Sequence, residues 1–213
     1  MKKLRLGEFE RNSLVVFAIT MIANVLSYLY QIVMGNVLTP ADYGTVNTLL
    51  SLSVVVGVPS GIISALTATY TAKYHAHGET FAIAAFMHGM LRVAAVLAAI
   101  VFVAGALLSR PIAHVLQIDD PHYVTVVMVL VASNCLGPVF SSTLQGVKRF
   151  IPYSMNSVLS FAFRLLLGVI FVWLGWGIPG ALAALILAAC LTMLYCLFKS
   201  RDLFFAPVKE NLA

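Results

Sequence analysis

Two arginines are the most informative residues of the sequence, because each lies inside a long apolar stretch. Arg92 falls within residues 81–108 and Arg164 within residues 153–174. A guanidinium inside a membrane costs at least ~2.5–3.5 kcal/mol, so it usually faces water or an opposite charge. The six apolar stretches of the sequence contain no Asp or Glu. An anionic ligand is therefore one candidate partner, and the alternative is that each side chain extends to the headgroups.

Small and polar residues recur at steps of three and four along several stretches, which places them on one face of a helix. Such a face indicates either close helix packing or a hydrated cavity shared by several helices. The amides of Asn24 and Gln31 favour the cavity, because an amide facing lipid would lose its hydrogen bonds. The three series are Thr20, Asn24, Ser27 and Gln31; Ser53, Gly57, Ser60, Ser64, Thr67 and Thr71; and Ser133, Gly137, Ser141 and Gln145.

The composition excludes a soluble or disordered protein. Of 213 residues, 61% are hydrophobic and 10% are charged, and the mean hydropathy is +0.98. Soluble domains carry about 25% charged residues, and disordered chains are far less apolar. Cys135, Cys190 and Cys196 lie inside apolar stretches and indicate neither a disulfide framework nor a zinc site.

The apolar stretches predict an all-α polytopic membrane protein, a bundle of six transmembrane helices. Each stretch reaches the roughly 20 residues that a helix needs to cross the bilayer. Thr39-Pro40 and Asp120-Pro121 read as caps followed by proline at the first helical position, and residues 177–180 as a tight turn. The predicted spans are 14–38, 46–70, 81–108, 124–147, 153–174 and 178–198.

Lysine and arginine predict the orientation, because they are retained on the cytoplasmic side. Both termini are then cytoplasmic, as an N-terminal segment 1–13 and a tail 199–213. A cleaved signal peptide is a less favoured alternative, because the first apolar run far exceeds a signal core of 7–15 residues. Arg110 alone falls on the outer side, whereas the cytoplasmic segments hold Lys2, Lys3, Arg5, Arg11, Lys73, Lys148, Arg149, Lys199, Arg201 and Lys209.

Signatures of enzymes are scarce, and we expect no catalytic residues, metal, cofactor or nucleic-acid partner. His75, His77 and Glu79 form a short turn without a further ligand nearby. Asp119 and Asp120 resemble a magnesium-binding pair, but Asp120 is explained as a helix cap. The sequence holds no phosphate-binding glycine loop, nucleophile elbow or HExxH motif.

Several motifs in order resemble the N-terminal half of the oligosaccharide and polysaccharide flippases, the O-antigen-type exporters of the multidrug/oligosaccharidyl-lipid/polysaccharide exporter (MOP) superfamily. The resemblance covers nearly the whole chain. Asp42, Gly44, Gly146 and Gly180 would shape turns and helix ends. The motifs are Leu38-Thr-Pro-Ala-Asp-Tyr-Gly44, the basic loop from Lys73 to Glu79, Gln145-Gly-Val-Lys-Arg-Phe150, and Arg164-Leu-Leu-Leu-Gly followed by Leu174-Gly-Trp-Gly-Ile-Pro-Gly-Ala181.

The resemblance implies a transporter of the cytoplasmic membrane that moves an oligosaccharide linked to an isoprenoid diphosphate, as in lipopolysaccharide assembly. Arg164 and then Arg92 would contact the diphosphate or an anionic sugar, and Asn24, Gln31 and Gln145 would contact sugar hydroxyls. Family members have twelve to fourteen spans in two bundles. The chain is therefore expected to be either a truncated copy or one half of a transporter. In the second case its partner would be a second six-helix half, supplied by a separate chain or by a second copy of itself.

Three other functions stay open. A drug or cation antiporter of the same superfamily would need intramembrane carboxylates, which the spans lack. A second alternative, from a different class, is a non-transporting membrane protein that helps to organise a polysaccharide synthesis complex. A membrane-embedded transferase would need paired acids on the cytoplasmic face, and none is evident there.

Overall fold

The regular structure of the chain is helical wherever the computed structural model describes it, in residues 2–118 and 120–204, with side chains from Ser13 to Leu203. Asp119 and the tail beyond residue 204, with Lys209, lie outside the described residues. The helices are α1 (Lys2–Val37), α2 (Pro40–Val56), α3 (Val58–His77), α4 (Thr80–Leu107), α5 (Ser109–Val115), α6 (Pro121–Gly146), α7 (Phe150–Trp173) and α8 (Gly177–Phe204).

Five of these helices are long and apolar enough to cross a bilayer, and the bent pair α2–α3 makes six if it counts as one span. Many large apolar side chains on their outer faces are exposed, among them Leu14, Val96 and Leu194. Lipid is the solvent that such faces require. The predicted fold class, an all-α polytopic membrane bundle, is confirmed.

Side-chain caps start two helices where the sequence predicts them. The Thr39 hydroxyl accepts a hydrogen bond from the Asp42 backbone N–H at 3.2 Å and donates to the Asp42 carboxylate at 2.8 Å. Asp120 accepts from the backbone N–H of His122 at 2.9 Å. Each cap satisfies an N–H that the first helical turn leaves free. Both predicted caps are confirmed.

The second predicted span, residues 46–70, is not one continuous helix. It is divided at Gly57 into α2 and α3, whose axes differ by 49°. Gly57 donates its N–H back to the Ser53 carbonyl at 2.9 Å and ends α2. Pro59, at the start of α3, has no N–H to continue the helical ladder. The sequence also predicts a loop between the third and fourth spans, where the short helix α5 forms.

The bundle is built around α6. Helices α3, α4 and α8 pack on α6, α7 packs on α8, and α1 packs on α7. One buried cluster joins α2, α6 and α8 through Leu49, Val127 and Leu185, and a second joins α4 and α6 through Met87 and Leu144. Lipid tails are as apolar as these side chains, so the hydrophobic effect does not drive the helices together within a membrane. Close van der Waals packing holds them in contact instead.

The α3–α6 contact shows how close this packing is. A Cβ atom added to Gly146 would lie 2.7 Å from the Thr71 Cβ and 2.9 Å from the Ala68 carbonyl oxygen. Real Cβ atoms do not approach other heavy atoms so closely, and a backbone oxygen cannot turn aside. Glycine at this position therefore sets the distance between the two helices.

Replacing Gly146 by alanine is expected to destabilise the protein by about 1–3 kcal/mol, because α3 and α6 must move apart. Gly61→Ala is the matched control, since a Cβ there meets nothing within 4 Å and alanine is the better helix former. Thermal unfolding of the detergent-solubilised protein compares them. Equal melting temperatures for the two variants would show that Gly146 does not set the helix distance.

Candidate functional site

A cavity of about 580 Å³ lies among α2, α3, α6, α7 and α8. We call it the polar cavity. Its wall on one side is the α2–α3 break, with Ser53, Gly57 and Ser60, and α6 and α7 form the other walls. The small side chains on α2 and α3 leave the space that larger residues would fill. The cavity is thus a consequence of the break and of the residues around it.

Helix α7 contributes a polar face made of Asn156, Ser160 and Arg164. Steps of four residues bring these side chains to one side of the helix. Arg164 is the only Lys or Arg among the lining residues that the structure describes, and its guanidinium lies 5.5 Å from the centre of the Phe161 ring. The same lining residues include no Asp or Glu. The cavity wall is therefore positively charged.

Two polar atoms on this face are buried and have no hydrogen-bond partner within the described protein. They are the Nε of Arg164, a donor, and the Oδ1 of Asn156, an acceptor. An ion pair joins Arg149 to Asp202, at 2.9 Å, away from the lining residues. Buried polar groups are normally satisfied, so these two atoms are suited to hold water or a bound ligand.

Helix α6 faces the cavity with Ser133, Asn134, Gly137, Pro138 and Ser141. Pro138 has no N–H, so it cannot donate to the Asn134 carbonyl four residues earlier. The Ser133 hydroxyl donates to the carbonyl of Val129 at 2.9 Å, within its own helix. The Ser133 hydroxyl oxygen is then left as an acceptor, and the Asn134 amide adds both donors and an acceptor to the α6 wall.

The polar series of the second span, from Ser53 to Thr71, both lines a cavity and packs against another helix. These are the two interpretations that the sequence left open. The first part of the series, Ser53, Gly57 and Ser60, lines the polar cavity. Its second part packs against α6, where the hydroxyls of Ser64 and Ser142 lie 2.7 Å apart. On α3 the polar residues therefore pass from lining the cavity at Ser60 to packing against α6 at Ser64.

The predicted site residues do not all come together. Arg164 lines the polar cavity. Asn24 and Gln31 are exposed on α1, and Arg92 is exposed on α4. Gln145 is half-buried near the end of α6. These last four residues lie outside the cavity lining.

Sequence reasoning missed Asn134, Asn156 and Thr192 as lining residues. The signal for Asn156 was its spacing of eight residues from Arg164, with Ser160 midway. Asn134 lies next to the predicted Ser133, and an amide within an apolar span is itself informative. Thr192 is buried and donates to the carbonyl of Ala188 at 2.9 Å, and no pattern in the sequence set it apart.

A family model described as "Polysaccharide biosynthesis protein" matches residues 9–212. The chain belongs to the polysaccharide biosynthesis protein family. The resemblance to this family that the sequence motifs indicate is confirmed. No curated protein matches the chain significantly in sequence.

The fold of this family member is similar to a solved structure titled "Outward-facing conformation of a multidrug resistance MATE family transporter of the MOP superfamily". The TM-score is 0.66 and the sequence identity 18%, over 91% of this chain and 44% of the other. At that identity the likeness shows the fold. The chain spans less than half the length of the transporter that it matches.

Cysteine labelling distinguishes the cavity face from the packing face. In a background with Cys135, Cys190 and Cys196 replaced by alanine, a water-soluble maleimide is expected to modify Ser141→Cys rapidly, because Ser141 lines the polar cavity. Ser142→Cys is the control, because Ser142 is 1% exposed and faces α3. Equal protection of the two thiols would mean that water does not enter the cavity.

Proposed function

We propose that this chain forms one six-helix bundle of a transporter that moves an oligosaccharide, linked to an isoprenoid diphosphate, across the cytoplasmic membrane. The family is described as one of polysaccharide biosynthesis, and the fold matches part of a MOP-superfamily transporter. The proposed orientation has both termini in the cytoplasm. Assembly of a surface glycan such as O-antigen is the proposed use of the cargo.

Arg164 carries the proposal. A guanidinium enclosed by an apolar bundle requires a compensating anion or water, and the acidic groups that would normally supply the anion do not line this cavity. A diphosphate offers several charged oxygens that accept charge-assisted hydrogen bonds from arginine. A proton- or cation-coupled drug antiporter is less well supported, because the lining residues supply no carboxylate.

Asn156 supports a cargo that carries hydroxyl groups as well as charge. Its unpartnered Oδ1 accepts hydrogen bonds, and Arg164 donates them. The two residues are eight helical steps apart, or about 12 Å along the axis. A sugar hydroxyl at Asn156 and a phosphate oxygen at Arg164 would match this arrangement, with Ser160 between them.

Transport by alternating access requires a second wall, because a site must open to one side of the membrane at a time. We propose that a second six-helix bundle supplies it. The bundle would come from further sequence, a separate chain or a second copy. The proposal of a second bundle is supported by the structural comparison, in which this chain matches 44% of the similar transporter.

Replacing Arg164 by alanine is expected to lower glycan export by roughly 10- to 100-fold, since a hydrogen bond to a charged group contributes about 1.5–3 kcal/mol. Arg164→Lys should retain part of the activity, because lysine keeps the charge but loses the planar fork. The measurement is surface glycan in a host that depends on this protein, at equal protein levels.

Arg92→Ala is the matched control, because Arg92 is an exposed arginine within another span. It should keep more export than Arg164→Ala. Normal export in both Arg164 variants would remove the proposed role. An equal loss in Arg92→Ala would show that export is sensitive to any lost intramembrane charge, and the cavity would no longer be the favoured site.

A further inference from the structure

A second concavity, of about 920 Å³, lies between α7 and α8 on a different face from the polar cavity. We call it the basic groove. Its walls are apolar, with Leu159 and Phe163 on α7 and Leu191 and Leu194 on α8. Lys199 and Arg201 lie among its lining residues near the end of α8. The groove therefore combines an apolar channel with two cations.

The cations lie at one end of the groove. Helices α7 and α8 run in opposite directions across the tight turn that joins them, so the start of α7 lies beside the end of α8. The α7 wall extends from Met155 to Phe163, eight helical steps or about 12 Å. Half of the roughly 30 Å hydrocarbon core is about 15 Å. The apolar part of the groove thus fits within one leaflet.

Neither Lys199 nor Arg201 forms an ion pair with another of the described residues. Lys199 and Arg201 are exposed. Asp202, the neighbouring acid, is 2.9 Å from Arg149 and so already has a cationic partner. The Arg201 guanidinium lies 4.8 Å from the centre of the Phe198 ring, a contact that holds it beside the apolar channel.

We propose that the basic groove is a binding site for an anionic phospholipid of the cytoplasmic leaflet. One acyl chain lies along Leu159, Phe163 and Leu194, and the phosphate lies at the end of the groove that Lys199 and Arg201 line. The predicted orientation places these cations at the cytoplasmic surface, where anionic lipids attract basic residues. This site is separate from the polar cavity and does not depend on the proposed cargo.

The test measures lipid bound to the purified full chain in detergent by native mass spectrometry, with phosphatidylglycerol and phosphatidylcholine of equal chain length. Phosphatidylglycerol should bind more tightly. The double variant Lys199→Gln, Arg201→Gln should weaken its binding by roughly thirtyfold, equivalent to about 2 kcal/mol, because each juxtamembrane basic residue contributes about 1 kcal/mol. Leu194→Trp should weaken it too by filling the channel, with both charges kept.

Lys148→Gln is the matched control, because Lys148 is exposed at the α6–α7 turn and lies outside the groove lining. Its affinity should equal that of the unchanged protein. Equal affinity for the two phospholipids would overturn the proposal, as would an equal loss in the Lys148 variant. Tighter binding of an isoprenoid monophosphate than of phosphatidylglycerol would assign the groove to an isoprenoid lipid and overturn the phospholipid assignment.

Discussion

A positive charge inside an apolar bundle constrains the rest of this structure. Arg164 needs polar surroundings, and the described chain supplies a cavity of about 580 Å³ instead of an acidic partner. Small and polar side chains on α3, α6 and α7 create that cavity. The α2–α3 break at Gly57 and Pro138 in α6 lie at its walls, and both interrupt helical hydrogen bonding. Irregular backbone is tolerated at membrane depth where it lines such a cavity.

Close packing on one side of α6 complements the open space on the other. The hydroxyls of Ser64 and Ser142 join α3 to α6, and Gly146 lets Thr71 approach the backbone. Farther along the same α3 face, Ser60 lines the cavity. The polar cavity therefore begins where the α3–α6 contact ends, and the small residues that allow the contact also allow the cavity.

The sequence predicted the helical bundle well, because hydropathy and the caps at Thr39 and Asp120 report local physics. It missed the break at Gly57, since a single glycine followed by Val58-Pro59 is compatible with either a kinked or a divided helix. The site was only partly predictable. Arg164 was found because its charge is unusual, whereas Asn24 and Gln31 are exposed on α1 and do not line the polar cavity. Periodicity defines a helical face but not what that face contacts, which the tertiary arrangement decides.

Helices α7 and α8 both line the polar cavity and the basic groove. The two sites are therefore connected through this helix pair. At one end Arg149 donates to Asp202 and to the Lys199 carbonyl. At the other, the rings of Phe171 and Trp176 stack with centres 5.2 Å apart. Contacts at both ends favour movement of the pair as one unit. A change in cavity shape is then expected mainly from the facing α2–α3 wall, where Gly57 already divides the helix.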